Sequence, residues 1–241
     1  MPIHAAGLYD TEELGTKIFE FVVSSYTPTV SALLRAPSIN QQRPKLLGVA
    51  QTKTRDQLPL PSTKREVELL ADRAKANSLE LVEAHDDAGS VRRVLGEMGK
   101  CNWIHLACHG IQDIQNPTKS AFLLADGRLE LAEIIKHPLP NAQFAFLSAC
   151  QTATGDARLA EEAVHLAAGM LLAGYHSVNA TMWSIQDNHG PMVADAVYAE
   201  MLKGGKGDHT RAAHALHRAV DDLRRSGAKF LEWMPFIHLG A

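Results

Sequence analysis

A histidine and a cysteine, each at the end of an apolar run, are the residues of this chain best suited to chemistry. His109 follows the run 103–108, and Cys150 follows the run 144–149. A thiolate is a good nucleophile, and an imidazole close to it lowers its pKa or accepts its proton. Placed side by side, these two residues would form a thiol–imidazole dyad capable of covalent catalysis.

Short apolar runs that alternate with amphipathic runs predict the sheet that would position this pair. Apolar runs of this length are typical of buried strands, and the amphipathic runs begin with helix-capping residues. Strands are predicted at 46–50, 79–84, 103–108, 144–149, 177–183 and 233–239, and helices at 90–98, 158–173, 191–202 and 209–225. A further helix is predicted after a cap at Ser62 or Thr63, with Leu70 inside it. The alternation predicts an α/β fold, a doubly wound and mostly parallel sheet with helices on both faces.

Two segments stand outside this alternation. The runs 121–124 and 129–131, joined through an Asp-Gly turn at 126–127, predict a small β-hairpin inserted in the crossover between the third and fourth sheet strands. Residues 11–35 carry a helical pattern, and a polar connector follows them. We therefore predict a helical lead segment and connector over 1–44, and one domain over 45–241.

The predicted topology brings the two reactive residues to one edge of the sheet. Ligands of doubly wound sheets bind beyond the carboxyl ends of the strands, and successive elements usually lie next to each other. His109 is therefore expected to face Cys150, near the start of a following helix whose dipole favours a thiolate. Gly110 would permit a turn that directs its N–H inward, so the amides of Gly110 and Cys150 predict an oxyanion hole.

Ordinary structural roles compete with these assignments. A cysteine at a strand end often serves as a small apolar residue, and a histidine before a glycine is often a turn residue. The joint arrangement on adjacent strands is much rarer, and it favours catalysis. Strand alternation directs Cys108 away from His109 and into the core, whereas Cys101 has no evident role.

Composition and motifs exclude several other classes of protein. Lys plus Arg is 24 and Asp plus Glu is 27, so no basic excess indicates nucleic acid or a membrane surface as a partner. Three cysteines do not make a disulfide framework, and an acidic start is unlike a signal peptide, which together predict a cytoplasmic or nuclear chain. His105 and His109 lie on a predicted strand without a helical metal-binding motif, and no phosphate-binding glycine motif occurs, so we expect neither metal nor cofactor.

The two reactive segments resemble the active-site motifs of the CHAT family, which belongs with caspases, separase and gingipains among the caspase-like cysteine peptidases. The first segment is HLACHG at 105–110, and the second is LSACQTATGD at 147–156. Segments 161–178, 180–187 and 233–240 agree as well, so the likeness runs from about residue 45 to the end.

The resemblance implies a caspase-like fold with His109 as general base, Cys150 as nucleophile, and the amides of Gly110 and Cys150 as oxyanion hole. Peptide bonds would be cleaved through a thioester acyl-enzyme. In separase-like members, an acidic residue shortly after a Leu-Trp strand lines the pocket for the side chain before the cut. Asp187 in MWSIQD matches that position and would favour basic side chains. Asp187 also fits the role of a cap for a helix beginning near His189.

Departures from the family pattern limit what is carried over. The sequence SACQT at 148–152 differs from the QACRG of caspases, so the caspase preference for Asp is not expected. Many CHAT domains follow tetratricopeptide repeats that act as sensors, and this chain contains none. We therefore expect a cysteine endopeptidase for protein or peptide substrates that is latent until an activating partner or sensor domain acts on it. A catalytically silent signalling or scaffold module and a Cys/His acyl-transfer enzyme other than a protease stay open as alternatives.

Overall fold

The computed structural model describes residues 2–11, 13–34, 43–113, 115–151, 164–186 and 188–240, with only the backbone at 33, 149–151, 164 and 165. The strands in these ranges are β1 Leu46–Ala50, β2 Leu81–His85, β3 Trp103–Ile111, β4 Ala121–Leu124, β5 Gly127–Glu130, β6 Phe144–Gln151, β7 Ser177–Thr181 and β8 Phe236–Gly240. The helices are α1 Val30–Leu33, α2 Ser62–Ala76, α3 Val91–Met98, α4 Leu131–Lys136, α5 Val164–Ala173, α6 His189–Met201, α7 Ala212–Arg225 and α8 Phe230–Trp233.

The strands form one mostly parallel sheet in the order β2-β1-β3-β6-β7-β8. Strands β1, β2, β3, β6 and β7 pair in parallel, and β8 closes one edge antiparallel to β7. The central strands β3 and β6 consist mainly of apolar residues, and β3 is buried along almost its whole length, as expected where helices cover both faces of a parallel sheet. The predicted α/β fold with its mostly parallel sheet is confirmed.

Two apolar layers enclose the sheet. Side chains of β1, β3 and β6 such as Leu47, Ile104 and Leu147 pack against α3, α4 and α5 on one face. On the other face, Trp103 and Phe146 pack against α2, α6 and α7. Because side chains alternate along a strand, odd-numbered residues of β3 belong to the α2/α6/α7 layer.

The predicted hairpin is present, and it lengthens the strand that carries His109. Strands β4 and β5 pair antiparallel around a turn at Ala125 and Asp126. β4 then pairs with the end of β3, beyond the point at which β1 stops. β3 therefore runs to Ile111, three residues further than the sequence pattern indicates. Helix α4, which follows the hairpin, was not predicted, because six residues give too little periodicity to recognise.

The N-terminal segment packs against the β8 edge of the sheet. The helical pattern over 11–35 forms only a short 3-10 turn and helix α1 in the described residues. Tyr26 forms a bridge with Leu239 of β8, and the guanidinium of Arg224 in α7 lies over the ring of Phe19. Tyr26 and Phe19 thus contact the sheet edge and α7, whereas five other apolar residues of this segment are exposed: Leu14, Phe21, Val22, Val30 and Leu34. Among the described residues, no helix combines the length and the apolar character needed to cross a membrane.

A buried histidine joins the N-terminal segment to two strands. Ser25 Oγ donates to the Gly240 carbonyl at 2.7 Å, so its lone pair accepts from His238 Nδ1 at 2.7 Å. His238 Nε2 then accepts from Ser177 Oγ at 2.8 Å. This arrangement requires a neutral imidazole. Burial, with a smaller contribution from His214, lowers the pKa of His238 to about 4.

We expect this site to weaken the fold in acid. The pKa of His238 is below the ordinary value of 6.5. The stability that His238 gives the fold is therefore complete above pH 6.5 and is lost as the pH falls towards 4. The loss amounts to about 3 kcal/mol of unfolding free energy. Denaturant unfolding at pH 7.5 and pH 4.5 should show a smaller acid loss for His238→Gln than for the wild type. Equal losses for the two proteins would contradict this role.

Candidate active site

The carboxyl ends of β3 and β6 bring His109 and Cys150 to one edge of the sheet. The two strands pair in parallel, and their register places His109 opposite Cys150. Neighbouring strands lie about 4.8 Å apart, so the two Cα positions are separated by one strand spacing. The predicted adjacency of the third and fourth parallel strands is thus present at the level of the backbone.

The imidazole of His109 is buried and held in one orientation. Its side chain belongs to the α2/α6/α7 layer, and the residue is 3% exposed. Nε2 lies 2.7 Å from the Leu58 carbonyl oxygen. A carbonyl can only accept, so Nε2 carries the proton and Nδ1 presents its lone pair. Nδ1 has no hydrogen-bond partner among the described side chains, and it is therefore the ring nitrogen able to act as a base.

The Leu58 carbonyl comes from the loop between β1 and α2. The Leu60 amide donates to the Thr52 carbonyl at 2.9 Å, which closes this loop on itself. The Thr63 hydroxyl, in the first turn of α2, donates to the Leu60 carbonyl at 2.7 Å. Sequence reasoning missed Leu58, because any residue can supply a backbone carbonyl. The available signal was topological, since this loop leaves the carboxyl end of the strand next to β3.

The structure corrects the local conformation predicted for Gly110. Gly110 does not lie in a turn, because β3 continues through it and pairs with Phe122 on one side and Gln151 on the other. The insertion of β4 is the physical reason, since it supplies a partner for the last three residues of β3. The assignment of the Gly110 and Cys150 amides to an oxyanion hole stays a prediction.

A cluster of buried polar side chains lies in the same layer as His109. His105 Nε2 is 3.0 Å from Glu66 Oε1, and the Ser148 hydroxyl donates to Glu66 Oε2 at 3.0 Å. On its other side, His105 Nδ1 is 3.2 Å from the Tyr198 hydroxyl. Burial, and secondarily the Glu66 carboxylate, raises the pKa of Tyr198, so that its hydroxyl remains a donor. The cluster joins β3 and β6 to helices α2 and α6.

The order of contacts in this cluster does not fit a serine hydrolase. A serine nucleophile needs a histidine next to its hydroxyl and a carboxylate beyond the histidine. Here Glu66 lies between Ser148 and His105, so among the described residues the hydroxyl contacts a carboxylate and no histidine. Ser148 is also only 5% exposed. The cluster is therefore suited to positioning and not to nucleophilic attack.

The other two cysteines lie in the core. Cys101 and Cys108 are 2% and 0% exposed, and both belong to the α3/α4/α5 layer. Burial raises the pKa of Cys101 to about 11, which keeps it as an unreactive thiol near neutral pH. The predicted core position of Cys108, on the face opposite His109, is confirmed.

Asp187 lies outside the described residues, and its predicted pocket role stays a prediction. The following residue, Asn188, occupies the N-cap position of α6, and its side chain makes no capping hydrogen bond. The described residues contain no group of three or more possible metal ligands.

Comparisons with known proteins agree with this architecture. The CHAT domain family model matches residues 1–241. Two solved structures share the fold, each at 11% identity: a complex of Porphyromonas gingivalis RgpB pro- and mature domains, with a TM-score of 0.55, and the Arg specific cysteine proteinase gingipain R, with a TM-score of 0.56. They match 81% and 87% of this chain, which covers 47% and 50% of theirs. The chain thus spans about half the length of these structures. No curated protein sequence matches it. The predicted resemblance is confirmed, and the chain belongs to the CHAT domain family, with the caspase-like fold of the gingipains.

Proposed function

We propose that this chain is a cysteine endopeptidase in which Cys150 is the nucleophile and His109 the general base. The observation that carries the proposal is the register of β3 and β6, which pairs these two positions at the carboxyl edge of the sheet. The orientation of His109 supports it, because the Leu58 carbonyl takes the Nε2 proton and leaves Nδ1 able to accept another. Membership of the CHAT family and the gingipain-like fold agree with this chemistry.

The proposed reaction has two stages. His109 Nδ1 accepts the Cys150 thiol proton, and the thiolate attacks the carbonyl carbon of the scissile peptide bond. The tetrahedral intermediate collapses with breakage of the C–N bond, the imidazolium gives its proton to the leaving amine, and a thioester remains. A water molecule, deprotonated by His109, then hydrolyses the thioester. The amides of Gly110 and Cys150 are the proposed oxyanion donors, each worth about 100-fold or more in kcat.

Asp187 is the proposed determinant of substrate preference. A carboxylate in the pocket for the side chain before the cut would form charge-assisted hydrogen bonds to Arg or Lys. The solved gingipain R structure is that of an Arg specific proteinase, which agrees with a basic preference in this fold. Asp187→Asn is therefore expected to lower kcat/KM for Arg and Lys substrates by about 10-fold or more, and for neutral ones by much less. An unchanged preference would assign Asp187 to a structural role.

A peptide library that varies the residue before the cut tests the proposed function. We expect cleavage by the wild type after basic residues, and none by Cys150→Ala. The chain is proposed to be latent in the cytoplasm until a partner or sensor domain activates it. The library is therefore also run at high protein concentration, at which weak cleavage by the latent chain is easier to detect. Cleavage that persists in Cys150→Ala would contradict the proposal. Absence of cleavage together with an unreactive Cys150 thiol would favour the signalling or scaffold module.

A further inference from the structure

One carboxylate contacts both strands that carry the proposed dyad. Glu66 is 3% exposed, and its two oxygens reach His105 of β3 and Ser148 of β6, each at 3.0 Å. His105 lies four residues before His109, and Ser148 lies two residues before Cys150. A buried carboxylate is costly unless donors reach it. The Ser148 hydroxyl supplies a hydrogen bond to Glu66, whereas His105 Nε2 lies close to the carboxylate without hydrogen-bond geometry and contributes through its proximity.

The same residue fixes the loop that orients His109. Glu66 lies three residues after Thr63, so both side chains project from one face of α2, and both are buried. Thr63 holds the Leu60 carbonyl, and Leu58, two residues earlier, accepts the Nε2 proton of His109. Contact between Glu66 and the sheet therefore fixes the position of the first turn of α2 relative to the sheet. The position of that turn in turn fixes the position of the Leu58 carbonyl.

Helix α6 completes the enclosure of the carboxylate. A Cβ added at Gly190, in the first turn of α6, would come within 2.9 Å of both Glu66 Oε2 and Ser148 Oγ. A side chain here would have to displace the Glu66 carboxylate or the Ser148 hydroxyl, so glycine lets the N-terminal end of a 13-residue helix approach the carboxylate. Helix N-termini stabilise anions. The carboxylate thus has favourable surroundings on three sides: β3, β6 and α6.

From these contacts we propose that Glu66 is a positioning residue for the dyad. It holds β6 near Cys150 through Ser148, and it holds the tautomer of His109 through α2 and the Leu58 carbonyl. This role rests on the proposed function, since it deepens the account of the same site. Glu66 touches neither the substrate nor the reacting atoms, so its effect on turnover is indirect.

The test compares three variants. Glu66→Ala removes both contacts. Glu66→Gln keeps the size of the side chain, accepts from Ser148 through its oxygen, and can donate to His105 after a change of tautomer. Glu200→Ala is the matched control, because Glu200 is also a buried carboxylate, held by Lys203, Arg211 and Arg218, at the other end of α6. It lies ten positions after Gly190 along the helix, a distance of about 15 Å.

The first readout is the tautomer of His109, followed by ¹⁵N NMR of histidine-labelled protein and assigned with His109→Ala. The wild type, Glu66→Gln and Glu200→Ala should hold the Nε2-protonated tautomer, whereas Glu66→Ala should show a mixture of tautomers. The second readout is peptide turnover, for which Glu66→Ala should lose about 30-fold in kcat with KM changed less than about threefold. Glu66→Gln should recover most of that loss.

The outcomes separate this inference from the proposed function. Retention of the single tautomer in a folded Glu66→Ala protein would overturn the inference, whatever the turnover. Equal effects of Glu66→Ala and Glu200→Ala would also overturn it, because they would indicate general destabilisation. If Glu66→Ala does not fold, Gly190→Ala takes its place, because the added Cβ displaces the Glu66 carboxylate. Loss of the single His109 tautomer in folded Gly190→Ala supports the inference, and retention of that tautomer overturns it. Turnover that does not depend on Cys150 would contradict the proposed function and leave the tautomer result standing.

Discussion

Cys150→Ala is expected to lower kcat for peptide cleavage by about 10,000-fold or more, because no acyl-enzyme can form without the thiol. Cys150→Ser should be nearly as inactive, since a serine hydroxyl is far less acidic than a thiol. The measurement is turnover of the best peptide found in the library. Loss of activity should not be accompanied by loss of the fold, because the backbone at 150 is that of an ordinary strand residue.

Cys101 and Cys108 provide matched controls within the same chain. Both are buried on the face opposite His109, and the thiol of Cys101 has a pKa raised to about 11. Cys101→Ala and Cys108→Ala should retain kcat within about threefold. The small cavity that each substitution leaves should lower the free energy of unfolding instead. Comparable losses of kcat in all three cysteine variants would contradict the assignment of Cys150.

His109→Ala is expected to lower kcat/KM by about 1,000-fold, because the thiol loses its base and the leaving amine loses its acid. The arrangement at Nε2 explains why the effect should be so large: the Leu58 carbonyl commits this imidazole to one tautomer with Nδ1 free to accept. His85→Ala is a suitable control, because His85 is partly exposed and its imidazole hydrogen-bonds to Glu83 within β2, the edge strand of the sheet. Its kcat/KM should equal that of the wild type.

A smaller loss of kcat/KM in His109→Ala would change the role assigned to His109. If kcat/KM fell by no more than the loss in His85→Ala, another group would have to deprotonate Cys150. A loss confined to KM would assign His109 to substrate binding. Measurement of kcat and KM separately therefore distinguishes a base from a binding residue.

The sequence predicts the positions of His109 and Cys150 better than it predicts the residues around them. Apolar runs at 103–108 and 144–149 indicate buried parallel strands, and such strands tend to be neighbours in the sheet, so His109 and Cys150 were expected to meet. The observed register agrees. The motifs around both residues were specific enough to indicate the family, which the match over residues 1–241 confirms.

Leu58 and Glu66 could not have been predicted in the same way. Leu58 acts through its backbone, which leaves no trace in residue type, and its side chain is 80% exposed. Glu66 is a polar residue just beyond the first turn of an amphipathic helix, where a carboxylate is usually solvated. Its burial arises only because β3, β6 and α6 meet there. The turn expected at Gly110 was wrong for a related reason, since the inserted hairpin extends β3 through long-range pairing.

The rate at which iodoacetamide alkylates each cysteine, resolved by mass spectrometry of the native protein near pH 7, tests directly whether His109 activates the Cys150 thiol. This measurement requires neither a substrate nor an activator. We expect Cys150 to react much faster than Cys101 and Cys108, and His109→Ala to slow its alkylation by about 10-fold or more. Alkylation of Cys150 no faster than that of the buried cysteines, or at a rate unaffected by His109→Ala, would contradict activation of Cys150 by His109.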